Sequence, residues 1–238
     1  MKKILLIYFL SFHAISELTL EITQGTEDPY RVAIIKFSGG DKATTDIQKV
    51  VFDNLLRTGE FTIFNNEDLL SIPQIEEDIV FNDFRILDID FLVMGKVEDD
   101  GLNIAVEYQV FDISKAKKIR TSTVYGIPNK NRQLAHYVSD GIYQEITGIP
   151  GIASTKILYV TEDINFKLLI SDADGSNEQV LLESTEPIIS PSWSPDSKKV
   201  AYVSFETGIA KVYIQDIASG NRKVAVENSS QISSPAWS

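Results

Sequence analysis

The sequence contains no cysteine, and this absence excludes several kinds of site at once. Its 238 residues can form no disulfide, no catalytic thiolate and no thiolate metal ligand. Histidine is nearly as rare, since the chain has only His13 and His136. A zinc site built from cysteine and histidine needs three or four such ligands, so the sequence predicts no metal site of this kind and no cofactor.

Positive charge is also scarce. The chain has 22 lysine and arginine residues against 34 aspartate and glutamate residues, which gives a formal net charge of -12. An acidic surface repels the phosphate backbone of nucleic acids, so a DNA or RNA partner is not expected. The hydrophobic content of 43% is typical of a globular protein.

The apolar run at the N-terminus is too short for a membrane-spanning helix, which needs about 20 apolar residues. Lys2 and Lys3 precede an apolar stretch over residues 4–12, and the small residues Ala14 and Ser16 follow it. This order predicts a secretory signal peptide over residues 1–16, cleaved after about Ser16. A buried first strand or helix is the alternative. Without a lipobox cysteine, the exported product is expected to be soluble and not lipid-anchored.

The residues after the signal peptide predict a small α/β domain over residues 17–150. Leu18, Leu20 and Ile22 alternate with polar residues, which indicates a half-buried strand. Buried or alternating strands are predicted over residues 31–37, 60–64, 90–98, 102–113 and 118–126, and amphipathic helices over 41–57 and 132–147. We expect a mixed sheet with both helices on one face.

The remaining residues, 151–238, repeat themselves. Trp193 and Trp237 lie 44 residues apart, and Pro191 and Pro235 share this offset. A period near 44 with strands only is typical of the four-stranded blade of a β-propeller. One blade has strands predicted at 191–194, 200–204, 210–216 and 222–226, and residues 156–182 supply three strands of a preceding blade.

The region holds about one and two-thirds blades. A ring of typically four to eight blades is needed to bury both faces of each blade. We therefore expect an incomplete β-propeller, belonging to a longer parent protein, whose apolar sheet faces are exposed and prone to aggregation.

The repeated motif is interpreted as structural. Trp193 and Trp237 are expected to pack between neighbouring blades, where an aromatic side chain buries a large apolar area. Pro191 lies in the innermost strand, and Pro195 and Asp196 are expected to form the turn that follows it.

Catalytic signatures are missing from the sequence. A propeller can precede a serine peptidase domain, but the chain has no Gly-x-Ser-x-Gly elbow. His136 is expected to point outward or to pack locally. The acidic pair Asp172 and Asp174 is expected to lie in a solvated loop, with weak calcium binding there as the one cation site considered. The sequence predicts a protein that is not an enzyme, and the alternative is the non-catalytic propeller region of a secreted hydrolase.

Three segments resemble the TolB family, whose members are periplasmic proteins of the Tol–Pal system. They are VAIIKFSG at 32–39, AHYVSDGIYQEITGIPG at 135–151 with KILYV at 156–160, and EPIISPSWSPDSKKVAYVSFETG at 186–208 with VYIQDIASGNRK at 212–223. Ser197 departs from the glycine that is usual in the family's turn, and Ile152 from a common phenylalanine.

The resemblance implies a periplasmic adaptor. Such a protein is a monomer that links inner-membrane Tol proteins to the lipoprotein Pal and meets the membrane only through its partners. It supports outer-membrane integrity and constriction at cell division, and the family is also connected with protein import.

The family's mature N-terminal tail is its epitope for TolA. The resemblance places that epitope on Glu17, Leu18, Leu20, Ile22 and Asp28 of this sequence. An alternating strand at a free end can add to the sheet edge of a partner. The alternative is an ordinary edge strand of its own domain. No Pal-contacting residue is assigned.

Overall fold

The structure is a computed structural model that describes residues 28–39, 42–227 and 232–237, without the side chains of residues 42–46. The predicted signal peptide and the predicted strand from Leu18 to Ile22 lie outside the described residues. None of the helices within the described ranges is long and apolar enough to cross a membrane.

The first half of the described chain forms an α/β domain. Its elements, in chain order, are β1 (Tyr30–Ile34), α1 (Lys42–Arg57), β2 (Phe61–Phe64), α2 (Phe81–Ile86), β3 (Phe91–Asp99), β4 (Ile104–Asp112), β5 (Lys117–Gly126) and α3 (Asn131–Thr147). Helix α3 ends at Gly148, which takes a left-handed conformation with φ of 77°. Glycine reaches that conformation without the steric clash that a Cβ would add.

The five strands make one mixed sheet in the order β2-β1-β3-β4-β5. Strand β1 pairs in parallel with both β2 and β3, because α1 and the long connection through α2 carry the chain back to the same end of the sheet. Strands β3, β4 and β5 form an antiparallel meander. The mixed sheet predicted from the sequence is confirmed.

The sheet is covered on both faces. Val32 and Ile34 of β1 point to the face that α1 and α3 cover, and they join a large core cluster. Their neighbours Ala33 and Ile35 point to the opposite face, as the two-residue period of a strand requires. The two long helices share one face, as predicted, but the short helix α2 covers the other face through Phe84.

Two antiparallel sheets follow the α/β domain. The first has three strands, β6 (Lys156–Glu162), β7 (Phe166–Asp172) and β8 (Gln179–Ser184). The second has four strands in sequential order, β9 (Ile188–Trp193), β10 (Lys199–Ser204), β11 (Lys211–Asp216) and β12 (Arg222–Val226). Sequential four-stranded sheets are the blades of a propeller, so the fold class predicted from the sequence, an α/β domain followed by a partial propeller, is confirmed.

The two sheets pack face to face through one hydrophobic cluster. Leu168 of the first sheet and Ile188, Val200 and Tyr202 of the second are almost completely buried in it. Trp193 lies half-buried at the edge of the same cluster. In contrast, every residue of β12 is exposed, so this outer strand contributes little to the described core.

Helix α3 approaches the sheet very closely at Gly141. A Cβ built at this position would lie 1.9 Å from the Tyr108 hydroxyl oxygen. In a helix interior, alanine is normally favoured over glycine by about 1 kcal/mol. Overpacking costs about 1–3 kcal/mol, so we predict that Gly141→Ala lowers the free energy of unfolding in urea.

The double variant Gly141→Ala/Tyr108→Phe is the control for this prediction, because it removes the hydroxyl that clashes. It should recover part of the lost stability. A Gly141→Ala protein that is more stable than the wild type would show that helix propensity, and not the contact with Tyr108, decides the outcome.

Candidate functional site

One face of α3 carries three polar side chains where it meets the first propeller sheet. Arg132, His136 and Asp140 follow one another at intervals of four residues, so they lie in one row along the helix. They contact the loop after β7 and the linker that joins α3 to β6. We call these three residues, together with Lys156, Asp172 and Asp174, the junction cluster.

Two ion pairs fix the loop after β7. Arg132 Nη2 donates to Asp174 Oδ2, and the Asp174 side chain is only 1% exposed. Lys156 Nζ donates to Asp172 Oδ1 over 2.6 Å. The expectation that Asp172 and Asp174 lie in a solvated loop is wrong, because this loop packs against α3 and each carboxylate has a cationic partner.

Both carboxylates are ionised at neutral pH. Burial alone would raise the pKa of Asp172, but hydrogen bonds from Lys156 and Asn177 outweigh it and lower the pKa below its ordinary value. Burial also opposes ionisation of Asp174, and there the backbone N–H of Ser176 and the Arg132 guanidinium lower the pKa. The junction therefore carries two buried negative charges.

His136 lies between these carboxylates and α1. Its side chain is 3% exposed, so local packing is found and the alternative expectation, an outward-pointing ring, is wrong. Asn54 Nδ2 of α1 contacts His136 Nδ1 at 2.9 Å and also donates to Ser139 Oγ at 2.9 Å. Burial lowers the pKa of His136, and although Asp174 and Asp172 act in the opposite direction, the ring is neutral at pH 7.

Asp140 fastens the linker to the helix. Its carboxylate accepts hydrogen bonds from the backbone N–H groups of Ala153 at 2.6 Å and Ser154 at 2.9 Å. The linker comes this close because Gly151 has no side chain, since a Cβ there would lie 2.4 Å from Asp140 Oδ1. The chain therefore enters the first propeller sheet along a fixed path.

A cavity of about 310 Å³ lies beside the linker. Its wall combines apolar and polar side chains from α1, α3 and the linker, among them Asn54, Leu55, Tyr143, Ile149, Pro150 and Ile152.

The contacts of the junction cluster are hydrogen bonds and ion pairs, and the Nδ1 atom of His136 contacts the Asn54 amide and not a nucleophile. This arrangement is suited to binding and positioning.

The residues predicted to bind a protein partner fall mostly outside the described chain. Glu17, Leu18, Leu20 and Ile22 lie outside it, and Asp28, its first residue, is exposed. Their role in partner binding therefore stays a prediction.

The repeated motif lies within the second sheet and the turn after β9. Pro191 and Trp193 belong to β9, and in the turn Asp196 Oδ1 accepts hydrogen bonds from Ser194 Oγ at 2.6 Å and from the backbone N–H of Lys198 at 3.1 Å. Pro195 opens this turn, and Trp237 Nε1 donates to the Ser192 carbonyl at 3.3 Å. The structural role assigned to these residues stays a prediction.

Sequence reasoning missed the junction cluster. The signal was present in α3, because Arg132, His136 and Asp140 occupy a face of an otherwise amphipathic helix at a constant interval of four. The local sequence pattern does not predict that the end of β7 with Asp172, and the loop with Asp174 after it, pack against that face. The contact between Arg132 and Asp174 spans about forty residues of sequence.

Comparison with known proteins gives consistent matches for both parts of the chain. The family model described as the TolB amino-terminal domain matches residues 18–119, and the model described as the TolB beta propeller domain matches residues 143–238. The two models follow one another in the order of the α/β domain and the propeller sheets.

Curated relatives align with most of this chain. A Tol-Pal system protein TolB from Alcanivorax borkumensis is 39% identical over 206 residues, which are 84% of this chain and 47% of that protein. The corresponding protein from Alkalilimnicola ehrlichii is 36% identical, over 82% of this chain and 47% of the relative. The chain thus spans about half the length of the curated relatives it matches.

A solved structure agrees with the sequence matches. The crystal structure of TolB from Acinetobacter baumannii superposes with a TM-score of 0.76 at 33% identity. It covers 83% of this chain, which in turn covers 49% of that chain.

The hydrogen bonds of Asp140 lead to a prediction on stability. Asp140→Ala leaves two backbone N–H groups of the linker without their acceptor, and we expect it to lower the free energy of unfolding by about 2 kcal/mol. Asp140→Asn keeps one acceptor oxygen, so its free energy of unfolding should fall by about half as much. Urea denaturation measures both values.

The matched control is Asp163→Ala, which removes an exposed carboxylate from the turn between β6 and β7 and should change stability by less than about 0.5 kcal/mol. If Asp140→Ala lowered the free energy of unfolding as little as this control does, the Asp140 carboxylate would not be the group that fixes the linker.

Proposed function

The chain belongs to the TolB family, and on that premise we propose that it is a periplasmic adaptor of the Tol–Pal system. In this role it joins inner-membrane Tol proteins to Pal, and so supports outer-membrane integrity and constriction during cell division. The observation that carries the proposal is the pair of consecutive matches to the amino-terminal and propeller domains of TolB, over residues 18–119 and 143–238.

The net charge of the chain and the contacts of the junction cluster support a protein-binding role. A net charge of -12 disfavours nucleic-acid partners. The ion pair between Arg132 and Asp174 and the hydrogen bonds from the linker to Asp140 fix α3 to the propeller part of the protein. The alternative from the sequence, a propeller region of a secreted hydrolase, gains no support from the match to a TolB amino-terminal domain.

We propose that residues 17–28 bind TolA by adding a strand to its sheet. The chain that follows this segment is anchored, because the Tyr30 backbone N–H donates to the Glu60 carbonyl at 2.8 Å and β1 then enters the sheet between β2 and β3. Asp28 itself is exposed. A tail that starts from an anchored point can reach a partner without disturbing the domain that carries it.

The proposed function also includes export of the protein to the periplasm and binding to Pal. The signal peptide over residues 1–16 would deliver the protein to the periplasm, where both partners are accessible. Pal would contact the propeller, and we assign no residue of this chain to that contact.

Deletion of residues 17–28 tests the TolA contact. The deleted protein should lose capture of a TolA C-terminal domain in a pull-down and keep its far-UV circular dichroism, because the sheet begins only at Tyr30. Capture at the wild-type level would remove the segment from the mechanism.

A matched pair of triple variants tests whether one strand face makes the contact. Replacing Leu18, Leu20 and Ile22 by serine should weaken capture at least tenfold, since strand addition presents alternate side chains to the partner. The same replacement at Thr19, Glu21 and Thr23 should weaken it much less. Equal loss in both variants would contradict binding as an added strand.

A further inference from the structure

Two buried nitrogens of the junction cluster, Arg132 Nε and His136 Nε2, have no hydrogen-bond partner among the described residues. His136 Nε2 is among the buried side-chain atoms of the described residues that make no hydrogen bond. It faces Asp172 Oδ2 at 3.7 Å and Asp174 Oδ2 at 3.8 Å, which are too far for hydrogen bonds. An unsatisfied buried polar group costs about 1–3 kcal/mol, so this arrangement calls for a further group between the three atoms.

The spacing of the three atoms matches the edges of a metal coordination shell. All three donor atoms lie within 4.8 Å of one another. Zinc bonds of about 2.0–2.2 Å at tetrahedral to trigonal angles place neighbouring ligand atoms roughly 3.3–3.8 Å apart. The two separations from His136 Nε2, which are 3.7 Å to Asp172 Oδ2 and 3.8 Å to Asp174 Oδ2, lie at the upper end of this range.

We propose that His136 Nε2, Asp172 Oδ2 and Asp174 Oδ2 bind a zinc-type divalent transition-metal ion at the junction between α3 and the first propeller sheet. The ion would join the helix to the loop after β7. A water molecule would complete a four-coordinate shell.

The donor set favours zinc over calcium. Calcium takes six to eight oxygen ligands, whereas this site offers one imidazole nitrogen and two carboxylates. Zinc accepts imidazole and carboxylate ligands together, and three protein ligands with one open position are a common zinc arrangement. The count of cysteine and histidine made from the sequence did not predict such a site because it left out aspartate.

Asn54 can set the required form of the imidazole. Metal binding at Nε2 needs the ring proton on Nδ1, and Nδ1 lies 2.9 Å from the Asn54 amide. A half-turn of this amide brings its oxygen to the same position, where it accepts the Nδ1 proton. In the present orientation Asn54 Nδ2 also donates to Ser139 Oγ at 2.9 Å and the Asn54 oxygen accepts a long contact of 3.4 Å from Arg57, so the half-turn changes both of these contacts. Asn54 would then be the outer partner that orients the ligand.

Arg132 competes with the metal ion for the Asp174 carboxylate. Its guanidinium bonds the same Asp174 Oδ2 atom that the ion would use. Lys156 instead bonds Asp172 Oδ1, which the proposed ion does not use. Asn177 donates to Asp172 Oδ2 over 2.6 Å and so shares that ligand atom with the ion, but it is neutral. Removing the Arg132 charge should therefore strengthen metal binding, whereas removing the imidazole should abolish it.

Zinc titration of the full chain against a chromophoric chelator at pH 7.5 tests the site. The wild type should bind one equivalent of Zn²⁺. His136→Asn keeps a polar group near Asn54 but removes Nε2, and it should weaken binding at least about 100-fold, since even the loss of an outer partner costs 10–100-fold. Arg132→Gln should bind Zn²⁺ more tightly than the wild type.

Asp163→Asn is the matched control, because it removes an exposed carboxylate of the turn between β6 and β7 that is not one of the proposed ligands, and its affinity should equal that of the wild type. The absence of stoichiometric binding in both the wild type and Arg132→Gln would overturn the proposal whether or not the His136 variant folds. Equal affinity in the wild type and a folded His136→Asn would also overturn it, and would place the zinc elsewhere on the acidic surface.

Discussion

The carboxylate of Asp140 determines how the chain leaves one domain and enters the next. It accepts two backbone N–H bonds from the linker, and Gly151 allows the close approach that these bonds need. Since Asp140 belongs to α3, whose buried face is part of the core, the linker is attached to the core of the α/β domain. The first propeller sheet is thus positioned by the same helix that covers the mixed sheet.

The other polar residues of α3 extend this attachment over two more helical turns. Arg132 pairs with the loop after β7, and His136 connects the same loop to α1 through Asn54. Breaking the pair between Arg132 and Asp174 leaves a buried charge unpaired, which is costly at low dielectric. Under the function proposed above, α3 would connect the part of the protein that follows the proposed TolA-binding segment with the propeller sheets.

Much of the fold could be predicted from the sequence because its signals are local. The alternation in β4, the helical spacing in α3 and the recurrence of Trp193 at Trp237 each need only a short stretch of chain, or a comparison of two stretches. The resemblance to TolB rests on the same segments. Helix α2 is not among the helices predicted from the sequence, since six residues give little periodicity.

The junction could not be predicted in the same way. Asp172 and Asp174 stand in a turn-rich DADG segment, which by composition alone indicates a solvated loop. Their burial depends on a contact with Arg132 and His136 that only the tertiary structure provides. The prediction that Glu17, Leu18, Leu20 and Ile22 bind a partner rests on the resemblance, because a short alternating strand has the same pattern whether it pairs within its own domain or with a partner.

Amide hydrogen exchange at Ala153 and Ser154 tests most directly whether α3 and the linker form one unit. If they do, these two amides open only when α3 itself unfolds, and their protection equals that of core amides of α3 such as that of Ile142. Rapid exchange at Ala153 and Ser154 while Ile142 stays protected would show that the linker opens independently and would contradict this account of the junction.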